Sequence, residues 1–400
     1  MVYILLVIYL IFLIYIYDYQ RLRSGRSEVY YITLVLFILL AGLRYRIGSD
    51  TLDYEISFNS IPNITELTLY YLTEISTYEV GYTIFMSIVK TLFNDFSCFL
   101  LIQAVIVNYS VFSFFRHNTS KIFTSILLYF IVLYYFINCE TARQGIALAI
   151  LLNSWEYYKE TKWKEFFVQV IFATLFHSTA IIFIVFPILK YSHIWYKLKP
   201  NLLNACIILI LIAISFVLQQ IISQFLMQFT MNGDLGGRIY AYYNDADELT
   251  GISLTTQVIY LLFYIAIPFY CLNKIKYRYI DYSDLAPMVI LCSVINVASG
   301  IPMVYRLTYY FMPFYFVLLS EALAYPDLRK SNLKEVPKRK LRINYIVVLF
   351  ISLFIYYKIQ PYFYNDGTSS HHKYYMRFYP YNSVIDKGLD KNREEIYRGL

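Results

Sequence analysis

Charge is what this chain of 400 residues has least of. Asp, Glu, Lys and Arg make up 15% of it, against roughly 25% in soluble domains, so water is a poor medium for most of its surface. Cysteine is scarce too. Cys98, Cys139, Cys206, Cys271 and Cys292 lie in or beside apolar segments without metal-ligand spacing, which argues against a disulfide framework and against a bound metal. No long internal repeat, low-complexity tract or soluble domain interrupts the chain. Gly233-Asp234-Leu235-Gly236-Gly237 lacks the Lys-Ser/Thr that follows a phosphate loop, and His371-His372 stands as a lone pair. Residues 2–17 have neither a basic leader nor a small-residue cleavage site, so they read as a first span and not a removable signal.

What is there is apolar. Mean hydropathy is +0.50, and 59% of residues are hydrophobic. Apolar runs long enough to cross a bilayer fall near 2–17, 28–43, 97–115, 122–138, 142–158, 202–226, 253–272, 284–301, 304–325 and 343–359. Backbone groups in lipid must be satisfied within their own segment, so the expected fold is all-α, a polytopic transmembrane bundle of roughly 10–12 spans with re-entrant or half-helices. Residues 79–93 are short and contain Lys90, which points to a re-entrant or interfacial segment. Residues 165–176 and 178–190 form one long span, two short ones or a hairpin of half-helices around His177.

Loop charge gives an orientation. Arg21, Arg23, Arg26, Arg116, Lys121, Lys159, Lys162 and Lys164 take one side, as do Lys190, Lys197, Lys199, Lys274, Lys276, Arg278 and the cluster Arg329–Arg342. Placing all of these in the cytoplasm is consistent if 79–93 does not cross and 165–190 goes out and back. The expected organisation is then a transmembrane domain over 1–359 with external loops at about 44–78 and 227–252, and an external tail, 360–400, packed against that face. The net charge of +7 is accounted for by orientation and does not call for nucleic acid.

Four places carry candidate chemistry. Arg44 and Arg46 fall on the external side, where arginine needs a reason; a guanidinium fork suits phosphate oxygens, and the alternative is a loop-fixing ion pair with Asp50. Arg143 lies near a helix N-terminus, where the macrodipole disfavours a cation, so either Glu140 neutralises it or it binds an anion jointly with the helix-end amides. His177, midway through an apolar stretch, is either a proton-transfer group or a neutral ring bonded to a nearby carbonyl. Arg306 enters a span from the outer side and is either a snorkelling anchor or a fourth anion ligand. Arg44, Arg143 and Arg306 share one membrane face in this threading, and a polyanionic headgroup such as pyrophosphate would relieve their repulsion.

The order and spacing of several segments carry a resemblance. These are Leu43-Arg44-Tyr45-Arg46-Ile47-Gly48-Ser49-Asp50-Thr51 with Tyr54, Glu79-Val80-Gly81-Tyr82, and Ala142-Arg143-Gln144-Gly145-Ile146-Ala147. Phe176-His177-Ser178-Thr179-Ala180 and Tyr305-Arg306 complete it. Together they resemble the EpsG family of bacterial membrane proteins, relatives of Wzy-type polysaccharide polymerases. The resemblance implies a cell-membrane (inner-membrane) glycosyltransferase without a cofactor. It would join repeat units linked to undecaprenyl pyrophosphate into capsule, exopolysaccharide or O-antigen on the external or periplasmic side. The implied partners are the lipid-linked donor and acceptor and the membrane lipid, with a chain-length regulator and a flippase as candidate proteins. It further implies that Arg44, Arg46, Arg143 and Arg306 hold the leaving pyrophosphate. His177 or Asp50 would serve as base, with Glu79 and Glu140 as further candidates. A flippase or other transporter, a membrane O-acyltransferase and a glycan ligase are the competing expectations.

Overall fold

The computed structural model describes residues 2–48, 50–192, 262–276, 281–297, 302–326, 341–363, 378 and 381–385. The expected span 202–226, the loop 227–252, most of the tail, Cys206, His371-His372 and the glycines at 233–237 lie outside the described residues. The chain divides into two compact units, Met1–Pro187 with Leu353–Leu400, and Ile188–Ser352.

The first unit is a bundle of apolar helices. α1 (Val2–Leu13) runs on through a π-helical turn at Ile14–Tyr19, and α2 (Arg26–Gly42) starts after Gly25. A short α3 (Thr51–Ser60) is followed by α4 (Val80–Phe93), which Asn94 ends in the left-handed conformation. Asp95 then caps α5 (Phe96–Asn118) by accepting from the Ser97 amide at 2.8 Å. α6 (Ile122–Val132) gives way to a π-helical turn at Phe136–Glu140. α7 (Ala142–Asn153), α8 (Trp155–Lys159) and α9 (Trp163–Thr174) follow. α2 packs on α5, α5 on α7, α7 on α9 and α1 on α6.

The two ends of this bundle differ in character. At one end, Arg26 Nη2 donates to Ser120 O at 2.5 Å, Arg116 Nη1 to the Tyr31 hydroxyl at 2.8 Å and Lys159 Nζ to Asn118 Oδ1 at 3.4 Å. Buried Asp18 ties α1 to α6 there: its Oδ2 accepts from Thr124 N at 2.7 Å and Thr124 Oγ1 at 2.9 Å. Asp18→Ala strands two buried donors and is expected to cost about 1–3 kcal/mol, read as a lower thermal midpoint of the purified protein.

The other end gathers the candidate site. α4 starts and finishes on that side, because Lys90 Nζ reaches back to Asn59 O and Ile61 O at 2.7 and 2.6 Å. Residues 79–93, expected to be re-entrant or interfacial, form this one short helix. Residues 165–190 fold as a hairpin. α9 ends at Thr174, His177 is extended (φ −156°, ψ 117°), and a 3₁₀ segment at Ser178–Val185 packs back on α9. The tail docks here too, with Tyr45 N donating to Asn382 O at 2.9 Å and Val384 N to Leu43 O at 2.8 Å.

The second unit, by itself, contains a π-helical turn at Leu262–Ala266 leading into α10 (Ile267–Ile275), then α11 (Tyr282–Val297) and α12 (Pro302–Leu323). β1 (Ala324–Pro326) and β2 (Leu341–Ile343) pair antiparallel, and α13 (Tyr345–Phe363) follows, with its residues from Leu353 onward counted in the first unit. Lys190 and Asp284 form an ion pair at 3.2 Å.

The chain is therefore all-α apart from this two-stranded ladder among the described residues. The roughly 10–12 spans are not all reached as continuous helices. Among the described residues, Val2–Tyr19 and Phe96–Asn118 are long and apolar enough to cross a membrane. Other expected spans break: 122–138 at Leu133, and 142–158 at Ser154, whose Oγ bonds the Leu151 carbonyl at 2.7 Å. Exposed side chains of α1 (Ile4, Ile8, Ile11, Phe12) and α2 (Ile32, Val35, Leu36, Leu39) form apolar faces. Soluble monomers rarely leave such faces open, and lipid suits them.

Candidate functional site

Arg143 draws four distant segments together. It sits in the first turn of α7, which has no side-chain cap, so helix-end amides accompany the guanidinium. Its Nη1 pairs with Glu79 Oε2 at 2.6 Å across 64 residues. The guanidinium carbon lies 4.8 Å from the Tyr78 ring centroid, a cation–π contact. The Tyr54 hydroxyl is within hydrogen-bonding reach of Arg143 and also donates to Glu140 O at 3.2 Å. Burial raises the Tyr54 pKa above that of an ordinary phenol, with Arg143 pulling the other way, so Tyr54 stays a donor and not a base.

Glu79 links this centre to the hairpin. Its Oε1 accepts from the Ser178 amide at 3.3 Å, and the Gly81 amide donates to Leu175 O at 2.8 Å. A Cβ on Gly81 would lie 2.8 Å from both the carbonyl oxygen and the Cβ of Leu175, so only glycine lets α4 approach this closely. The approach sets His177 beside Glu79's partner residue Ser178. His177 Nδ1 and Thr179 Oγ1 are 2.6 Å apart, which fixes the ring.

Arg44 and Arg46 belong to a different pocket at the same end. Arg44 bridges Ser383 through its backbone and is 1% exposed, with Nη1 donating to Ala41 O at 2.6 Å. Arg46, at φ +51°, pairs with Glu55 Oε2 at 3.4 Å and lies 5.2 Å from the centroid of its neighbour Tyr45. Both line a cavity whose walls include neither Arg143 nor His177.

Arg44 and Arg143 share an end of the first unit but not a pocket, and the half-buried Arg306 belongs to the second unit. The carboxylate paired with Arg143 is Glu79; Glu140, one of the two alternatives weighed for Arg143, is buried in the π-helical turn before α7. Asp50 precedes α3 and acts electrostatically on Tyr54 and Tyr78. Among the described residues no group of three or more His, Cys, Asp or Glu could hold a metal ion.

Sequence reading gave no role to Tyr54, Tyr78 or Glu55. Tyr54 lies four residues after Asp50 and Tyr78 one before Glu79, and those offsets are the available signal.

An apolar helical chain with an arginine–carboxylate centre, two tyrosines and a histidine at one end is the class that fold and site define. Within that class, residues 27–383 match the EpsG family, and the chain belongs to it. The family is linked to exopolysaccharide biosynthesis. No curated protein and no solved structure matches the chain.

Proposed function

We propose that this protein is a multi-pass membrane glycosyltransferase that polymerises undecaprenyl-pyrophosphate-linked repeat units on the external face of the cell membrane. The observation that carries the reading is the convergence on Arg143 of residues from 50–54, 78–81, 140–143 and 175–179. Each of these stretches overlaps or adjoins a segment on which the family resemblance rests.

In the proposed step, the acceptor hydroxyl oxygen bonds to the anomeric carbon of the donor while the bond from that carbon to the pyrophosphate oxygen breaks. The pyrophosphate leaves with both bonding electrons. Arg143 faces the growing negative charge and lowers the barrier electrostatically. Glu79 holds the guanidinium in place until the anion competes for it. His177, fixed through Nδ1, takes the acceptor proton at Nε2, and Asp50 is the second candidate base. The bilayer, by anchoring both lipid tails, supplies positioning.

The test is glycan length on gels from a deletion strain complemented with wild type, His177→Ala or Asp50→Asn, at matched membrane levels. Single repeats in place of a ladder with His177→Ala are expected, with a smaller loss for Asp50→Asn. Full ladders with both would sink the base assignment, and repeats that never reach the outer face would favour a flippase.

A further inference from the structure

A cavity of about 210 Å³ lies where the turn after α2, the α3 helix and the α4–α5 turn meet. Arg46, Glu55, Asn59, Asn94, Asp95 and Ser97 give it polar walls, while Tyr45 and Phe96 add aromatic rings. Arg44 also lines it; its side chain is fully buried, and Nε and Nη2 have no hydrogen-bond partner.

We propose that this cavity is a subsite for one sugar ring of the repeat unit and not a second pyrophosphate site; the proposal rests on the polysaccharide reading above. Charge is the first argument. Arg44 and Arg46 are matched by Glu55 and Asp95, and Arg46 is already paired at 3.4 Å, so a doubly charged anion would approach two carboxylates. A hydroxyl-rich ring meets what it needs: carboxylate acceptors, amides that both donate and accept, and guanidinium donors. Asp95 spends Oδ1 on the Ser97 amide and keeps Oδ2 as an acceptor. Tyr45 and Phe96 offer apolar surface to the C–H face of a pyranose.

Size and placement agree. The volume is below the roughly 300 Å³ at which drug-sized pockets begin, and the enclosed part suits one ring. Glu55 lines the cavity while its neighbour Tyr54 reaches Arg143, so the two sites flank α3. Arg46 holds a left-handed backbone that costs a non-glycine residue energy, a strain that functional sites retain.

The experiment uses full-length protein in nanodiscs and two probes: repeat-unit oligosaccharide released from the host's own polysaccharide, and inorganic pyrophosphate. Glu55→Ala and Asn59→Ala, at half-exposed and exposed positions, are each expected to weaken oligosaccharide binding about tenfold without weakening pyrophosphate binding. Matched thermal midpoints show that the fold is kept. Unchanged oligosaccharide affinity in both variants overturns the proposal, as does a loss of pyrophosphate binding, which would make the cavity an anion site. A wild type that makes ladders in cells but binds no oligosaccharide overturns the subsite alone. A wild type that restores no ladder to the deletion strain overturns the polymerase reading with it.

Discussion

Arg143→Ala is expected to cut the rate of polymer formation by about 10²–10³-fold, the usual cost of deleting one donor aimed at developing negative charge. A purely structural role for the Arg143–Glu79 pair predicts something different. Both side chains keep about a fifth to a quarter of their exposure, so breaking the pair costs less than the ~3–5 kcal/mol of a fully buried one. Arg143→Ala alone strands the Glu79 carboxylate against the Ser178 amide. Adding Glu79→Gln removes that charge, so the double variant should recover most of the lost thermal midpoint. If the pair were only a strut, activity would recover with it. If Arg143 faces the leaving group, activity stays lost in the stable double variant. Arg143→Lys is expected to fall between, since a point charge replaces a fork held by Glu79, Tyr54 and the Tyr78 ring.

Much of this arrangement was legible in the sequence, for identifiable reasons. Lys90 inside an otherwise apolar run marked 79–93 as re-entrant or interfacial, and its ammonium caps the Asn59 and Ile61 carbonyls at the site end. Residues 165–190 left one long span, two short ones and a hairpin open, and the extended backbone at His177 makes them a hairpin. Hydropathy could not show where helices stop. Ser154 interrupts 142–158 with a local bond to Leu151 O, and Leu133 interrupts 122–138, and both depend on backbone geometry that composition does not record. Pairing was the larger gap. Glu140 is near Arg143 in sequence, yet Glu79 takes the guanidinium because Gly81 lets α4 close on the hairpin. Arg44 is held in place by a backbone bridge to Ser383, a contact across most of the chain length that local sequence does not record.

Gly48→Ala is expected to cost roughly 3 kcal/mol or more, through two independent effects. Gly48 holds φ +95°, which any L side chain adopts at a cost of about 1–3 kcal/mol. A Cβ there would also lie 2.6 Å from the Cys139 Cβ and 2.8 Å from the Cys139 carbonyl oxygen. Backbone cannot swing aside as a flexible side chain does, and overpacking of this kind costs about 1–3 kcal/mol more. The strain would fall on the contact between the start of α3 and the turn before α7. There Thr51 Oγ1 bonds Ile47 O at 2.6 Å and Cys139 O at 3.2 Å, and Tyr54 bonds Glu140 O. Gly81→Ala offers the contrast, since its φ is ordinary and only the approach to Leu175 is blocked. Opening that approach moves the hairpin away from Glu79, so Gly81→Ala should lose more activity per degree of thermal midpoint than Gly48→Ala does. Equal ratios for the two variants would mean that the α4–hairpin contact supports the fold without positioning His177.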